Sequence, residues 1–234
     1  PDLPKSAVDA GADMVVQSTH KTLAGLTQTS MLHLGSRRVD KELVRATLTM
    51  LESSSPSYIL MAALDVARMQ MATNGHDLLQ RSIDLAEDAR RRINNIEGVF
   101  APGRERSHTD AIYDVDLTKL TVHVSRLGLT GFQVEELLNR DYNVEIELSD
   151  FENILAFVTI GTPREAVDAL VNALEDISRR RHGKTSTLSP PPPIPAIPEM
   201  VLFPFEAYYA KRERVRMEDS VGRIIAELVT PYPP

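Results

Sequence analysis

Residues 12 to 34 restrict the fold of this chain more than any other stretch, because a polar turn with one lysine is held there between two short apolar runs. Ala12-Asp13-Met14-Val15-Val16 is bracketed by Gly11 and polar residues and has the length and β-branched content of a buried strand. Thr29-Ser30-Met31-Leu32-His33-Leu34 reads as a second strand. Lys21 leaves the end of the first and so sits between two core strands. With a histidine before it and hydroxyls at Ser18, Thr19 and Thr22, it is placed to form an imine while its neighbours bind an anion. On residue types alone a solvated loop lysine is the commoner use of such a stretch, since short motifs match by accident.

Pro4 through Ala10 reads as a helix end or loop feeding the first strand. After the second strand, Gly35 and Ser36 break the pattern, and Asp40 to Leu51 carries Leu43, Ala46 or Thr47, Met50 and Leu51 near helical spacing. Ser55 followed by Pro56 predicts a helix start, with a capping hydroxyl and a proline in the first helical position, running to a stop near Asn74-Gly75. Leu60, Leu64, Ala67 and Met71 give it an apolar face, which fits core packing. A second helix is predicted from about His76 to Ile96, ending at Gly98.

From Val99 the pattern turns to short alternation. Ala111 to Leu117, Leu120 to Val124, Val144 to Leu148 and Ile154 to Ile160 read as strands. Thr130 caps a helix with Gln133 at the capping-box position and Leu137 and Leu138 on its buried side. Thr162-Pro163-Arg164-Glu165 is a helix start, followed by Val167, Leu170, Val171, Leu174 and Ile177 at helical spacing. The economical arrangement is a small antiparallel sheet with helices on one face, a second domain packed on the Lys21 domain. Pro190 through Pro193, Pro195 and Pro198 make an extended polyproline linker. Phe203 to Ala210 is aromatic and apolar, and Glu218 to Leu228 is predicted as an amphipathic helix that returns to cover something hydrophobic.

The 234 residues are 42% hydrophobic, so a sizeable core is within reach. The absence of cysteine excludes disulfides and thiolate metal sites and agrees with a reducing compartment, making the cytoplasm the expected location. His33, His76, His108, His123 and His182 are scattered without paired spacing, so no metal site is indicated. A net charge of −7 gives no overall basic field for nucleic acid. The triplets Arg90 to Arg92 and Arg179 to Arg181 read as solvated helix faces and ends. No apolar run approaches the length of a bilayer span.

Ser18-Thr19-His20-Lys21, followed by Leu23, Gln28 and Ser30, resembles the cofactor-lysine segment of the ornithine/lysine/arginine decarboxylases. In the same order, Ser54-Ser55-Pro56-Ser57-Tyr58, Gly128-Leu129-Thr130-Gly131, and Gly222-Arg223-Ile224 leading to Pro231-Tyr232-Pro233-Pro234 also look like that family, so the resemblance covers nearly the whole chain. It implies an α/β fold: the C-terminal part of an aspartate-aminotransferase-like large domain, a small α+β domain and a proline-linked C-terminal segment. The corresponding ranges are 1-56 for the end of the large domain, 57-97 for connecting long helices, 98-183 for the small domain, 184-198 for the linker and 199-234 for the C-terminal segment.

The resemblance further implies pyridoxal 5'-phosphate as cofactor, carried on Lys21, with Ser18 and His20 near its phosphate. Ser54, Ser55 and Ser57 are then candidates for a site shared across a homodimer, although a helix cap explains the same residues. The implied reaction is decarboxylation of a basic amino acid in polyamine synthesis. Arginine, giving agmatine, is preferred over lysine or ornithine from the likeness of residues 116 to 153 to shorter bacterial biosynthetic enzymes. An aminotransferase, another lyase of the same fold, or a non-catalytic regulatory relative are the alternatives, since a lysine fixes the cofactor and not the bond broken. Glu145, Glu147 and Asp150 are candidates to meet the distal cation of the substrate, with Glu145 and Glu147 on one strand face. The family's other cofactor ligands lie upstream of its lysine, so an N-terminal portion of the same enzyme is an expected partner, and the segment alone is expected to be neither active nor an autonomous fold. Its strands would then present exposed apolar area.

Overall fold

The computed structural model describes residues 3–106, 109, 110, 112–181, 193, 196, 197 and 199–225. They fall in two units, Pro1–Pro190 and Pro191–Pro234.

The first unit begins with the antiparallel strands β1 (Met14–Gln17) and β2 (Met31–Leu34), Met14 opposite Leu34 and Gln17 opposite Met31, joined through the single helical turn α1 (Thr19–Thr22). The strands form where alternation predicts them, but the expected burial is absent. Val16 is 72% and Met14 45% exposed, because among the described residues β1 and β2 have only each other as neighbours. The exposed apolar area expected of this strand pair is therefore present.

Helix α2 (Lys41–Leu51) starts where Asp40 accepts from the Glu42 and Leu43 amides at 2.9 and 3.3 Å. The two helices predicted beyond it are one: α3 (Tyr58–Ile93) runs for 36 residues. Ser57, not Ser55, is its N-cap, accepting from the Leu60 amide at 3.4 Å, and Pro56 lies before the cap. Asn74-Gly75 does not stop the helix. Glycine in a helix interior costs about 1 kcal/mol, too little to break a long helix unless the chain must change direction. Gly75 is buried, and the Met71 methyl carbon lies 2.9 Å from where a β-carbon would be, so the missing side chain makes room for it.

After Asn94, whose amide side chain donates to the Ala101 carbonyl at 3.0 Å and accepts from the Ala101 amide at 2.7 Å, the chain builds a second sheet. It comprises β3 (Lys119–His123), β4 (Leu148–Ser149) and β5 (Asn153–Phe157), antiparallel in the order β3-β5-β4, with α4 (Gly131–Tyr142) and α5 (Arg164–Arg181) beside it. The Thr130–Gln133 capping box forms as expected. Leu85, Ala86, Ala89 and Ile93 of α3 share one buried core with Leu120 and Val122 of β3, Val134 and Leu138 of α4, Ile154 of β5 and the predicted apolar face of α5.

Three strand expectations are corrected. No strand forms over 112–117, because Asp114 accepts from the Val115 amide and Asp116 from the Thr118 amide, turning the backbone on itself; Ala111 lies outside the described residues. The strand expected at Val144 to Leu148 reduces to Leu148–Ser149, although the Glu147 amide still reaches the Leu155 carbonyl at 2.9 Å. That expected to end at Ile160 stops at Phe157.

Arg90 also departs from expectation. It is only 6% exposed and ties two loops to α3, donating from Nε to the Pro102 carbonyl at 2.8 Å and from Nη2 to the Leu117 carbonyl at 3.0 Å. Burial pushes its pKa down, against the opposing pull of Glu87 and Glu105.

In the second unit α6 (Pro204–Tyr209) covers much of the aromatic run. Instead of the helix expected from Glu218, a 3-10 turn forms at Met217–Asp219 and residues 220–225 are non-helical. The end of that helix, most of the proline linker, His108, His182 and Pro231 to Pro234 lie outside the described residues. No helix among the described residues is long and apolar enough to cross a membrane.

Candidate functional site: the lysine turn

The turn that carries Lys21 is fixed from below. Thr29 is 2% exposed; its hydroxyl donates to the Leu26 carbonyl at 2.6 Å, and its own carbonyl receives the His20 amide at 3.3 Å. Thr19 is buried beside it, and Gly25 packs against both: a β-carbon there would lie 2.5 Å from Thr29 Oγ1 and 3.2 Å from Thr19 Cγ2. Ser30 donates to the Gln17 carbonyl at 2.8 Å, and the Gln17 amide side chain meets His33 Nε2 at 2.8 Å, closing the mouth of the hairpin. Thr29, Gly25, Gln17 and His33 were not singled out in the sequence. Only Gly25, a small residue midway between two strands, carried a signal of close approach.

On this base the groups with chemistry face outward. Lys21 is exposed at the end of α1. Ser18 stands at the N-cap of α1 without a capping bond from its side chain, which leaves the hydroxyl available. His20 Nδ1 lies 2.8 Å from the Thr29 carbonyl oxygen. A carbonyl only accepts, so Nδ1 carries the hydrogen, and Nε2 offers a lone pair in the neutral ring and a donor in the protonated one.

The remaining candidates stand elsewhere. Ser54, Ser55 and Ser57 are exposed before α3, with Ser57 occupied as its cap. Glu145 and Glu147 are exposed and precede β4, not lying on a strand as expected, and Glu145 receives a hydrogen bond from Asn139. Asp150 Oδ1 accepts from the Glu152 and Asn153 amides at 2.7 Å each and from the Asn153 side chain at 3.1 Å, so it holds the turn between β4 and β5. Burial pushes the Asp150 pKa up, but these donors and nearby His123 outweigh it and leave the carboxyl below its ordinary value. No hydrogen bond among the described residues links the Lys21 turn, the Ser54 to Ser57 segment and the Glu145 to Asp150 segment. No group of three or more histidine or acidic residues suited to a metal ion occurs among the described residues.

A cavity of about 1190 Å³ opens beside the turn. It is lined by Leu3 to Ser6, Asp9, Ala10, Gln17, Thr22 and Leu23, by Leu79, Ser82 and Ile83 of α3, and by Tyr113 to Lys119 and Phe157 to Ile160, whereas Ser18, His20 and Lys21 are not part of its lining. Lys119 rests its ammonium 3.6 Å from the centre of the Phe157 ring.

With this geometry in hand, comparison with known proteins is decisive for the family: the profile of the Orn/Lys/Arg decarboxylase major domain matches residues 2–166. The chain belongs to that family. Within it, the arginine decarboxylase of Bacillus anthracis is 43% identical over 234 residues, covering 100% of this chain and 48% of its own length. That of Bacillus subtilis is 41% identical over 239 residues, again covering 100% of this chain and 48% of the relative. The chain thus spans about half the length of the curated relatives it matches. Among solved structures, the Francisella novicida lysine decarboxylase shares its fold, with a TM-score of 0.61 at 23% identity over 70% of this chain and 27% of that one. The constitutive lysine decarboxylase of Escherichia coli gives 0.59 at 22% identity over 71% and 28%. The fold is thus mixed α/β, as in these decarboxylases of the family.

Proposed function

We propose that this chain supplies the cofactor lysine of a pyridoxal-phosphate-dependent decarboxylase that converts arginine to agmatine and carbon dioxide in polyamine synthesis. The substrate choice is supported by the identity to arginine decarboxylases along the whole chain. The observation that carries the chemistry is the lysine turn: an exposed amine beside an uncommitted hydroxyl and an imidazole oriented through Nδ1. This donor set fits an aldehyde-bearing phosphate ester.

Lys21 would hold the cofactor through its amine, and Ser18 would donate its hydroxyl to the phosphate. His20 commits Nδ1 to Thr29 and so would present Nε2 to the phosphate. When bound, the cofactor supplies a ring that accepts the electron pair left as the carboxylate departs. Glu145, Glu147 and Asp150 stand as candidates for the substrate's distal cation, and Ser54, Ser55 and Ser57 for a site shared with a second subunit.

The partners in this reading are the remainder of the longer enzyme and a second copy of it, with a cytoplasmic location. The exposed apolar side chains of β1, α2 and the start of α3, among them Val16, Met50, Leu51 and Ile59, support such partners. An aspartate-aminotransferase-like large domain, continued by the small sheet, is the corresponding domain plan.

The test is borohydride reduction of the full-length protein with pyridoxal phosphate, followed by peptide mapping. Label on Lys21 is expected, and label on another lysine in its place overturns the reading. Release of carbon dioxide and agmatine from arginine separates decarboxylation from amino transfer.

A further inference from the structure

A carboxylate that the sequence did not single out faces the cavity beside the lysine turn. Asp116 lines the same cavity as Thr22 and Leu23, the residues that directly follow Lys21. Its Oδ1 accepts from the Thr118 amide at 3.0 Å and from the Thr118 hydroxyl at 2.6 Å. These two donors fix the plane of the carboxylate, while Oδ2 has no hydrogen-bond partner among the described residues. No ion pair among the described residues involves Asp116: of the two lysines in the cavity lining, Lys119 sets its ammonium over the Phe157 ring and Lys5 is in no ion pair either.

An oriented carboxylate with one free oxygen, in a cavity also lined by Leu79 and Ile83, suits a planar cation more than a hydrated metal ion. Asp116 is itself exposed, so what favours such a cation is the charge and fixed plane of the carboxylate and not the removal of water. By contrast Asp150 has its Oδ1 taken by three donors, and neither Glu145 nor Glu147 lines this cavity. Resting on the decarboxylase reading above, we propose that Asp116 is the specificity-determining residue that receives the distal cation of the basic amino acid, with Leu79 and Ile83 taking its methylene chain.

The experiment uses the full-length enzyme with cofactor bound and compares arginine with citrulline, whose neutral urea group has nearly the shape of the guanidinium. In D116N the Asn oxygen still accepts from Thr118, so the wall keeps its hydrogen bonds and the charge alone is lost. The preference for arginine over citrulline in kcat/KM is expected to fall about tenfold or more, through a raised KM for arginine, with the cofactor absorbance unchanged. An unchanged preference overturns the proposal, as does a fall that appears in E145Q or E147Q and not in D116N. Should D116N fail to fold, T118V serves in its place: it frees the carboxylate from one donor and is expected to raise KM for arginine while leaving citrulline unaffected. An equal effect on both substrates overturns the proposal. A wild-type enzyme that retains cofactor on Lys21 but releases no carbon dioxide from arginine defeats the decarboxylase reading and this inference together, whereas an active wild type with an unaltered D116N defeats the inference alone.

Discussion

The region around the second sheet and the region around Lys21 are held together by different means. Between Leu85 and Ile177 helix, strand and helix contribute to one continuous apolar core in which Ile93, Val122, Leu138 and Leu174 are almost fully removed from water. Around Lys21 the buried residues are two threonines, and hydrogen bonds through Thr29, Gln17 and Ser30 define the turn while neighbouring apolar side chains stay in water. The first region draws its stability from area buried within the chain. The second has a precise local shape but little burial of its own, which is what a turn that presents reactive groups to other surfaces requires.

The largest expected effect breaks the first region. Leu174→Ala in the full-length protein should cost about 2–5 kcal/mol in urea unfolding, since Leu174 is fully buried and its neighbours come from several elements. A cost below about 1 kcal/mol would show that the core is not the main source of stability. Gly25→Ala acts on the other side of the comparison. The new methyl meets Thr29 Oγ1 and Thr19, so a loss of about 1–3 kcal/mol is expected, together with weaker retention of pyridoxal phosphate. Retention equal to wild type would separate the threonine base from cofactor binding. Thr130→Ala removes a helix cap far from the lysine in sequence and should cost about 1 kcal/mol in thermal unfolding with cofactor binding intact.

The smallest effect is on the acid side. The folded Asp150 carboxyl lies below its ordinary value, so its stabilising contribution is present above the ordinary carboxylate range and is lost as pH falls through the folded value. In Asp150→Asn that part of the acid-induced fall in Tm should disappear. An acid limb identical to wild type would mean that other carboxylates set it.

How much of this was legible follows the same division. The caps at Asp40 and Thr130, the apolar face of α5 and the hairpin flanking Lys21 are written in nearest-neighbour patterns that survive folding. The continuity of α3 was not, because an Asn-Gly pair marks a break only when the chain needs to turn, and here the glycine leaves space for Met71 instead. Alternation over 112–117 promised a strand, yet Asp114 and Asp116 compete for the same backbone amides and win. Arg90 looked like part of a charged helix face, and nothing local says that two loop carbonyls will close over it. For the proposed site, the motif pointed to Lys21, Ser18 and His20, whereas the tautomer of His20 and the cavity wall at Asp116 depend on residues distant in sequence.

The unbroken α3 has a mechanical consequence. At about 1.5 Å per residue its 36 residues make a rod of about 54 Å, gripped by the core at its Ile93 end and bare at its Tyr58 end. Such a rod is a lever whose fulcrum lies in the second sheet. A rotation of about 5° at the gripped end sweeps the far end through about 5 Å, without any backbone dihedral changing in between. Small adjustments near Asn94 are thus magnified at the serines before Tyr58.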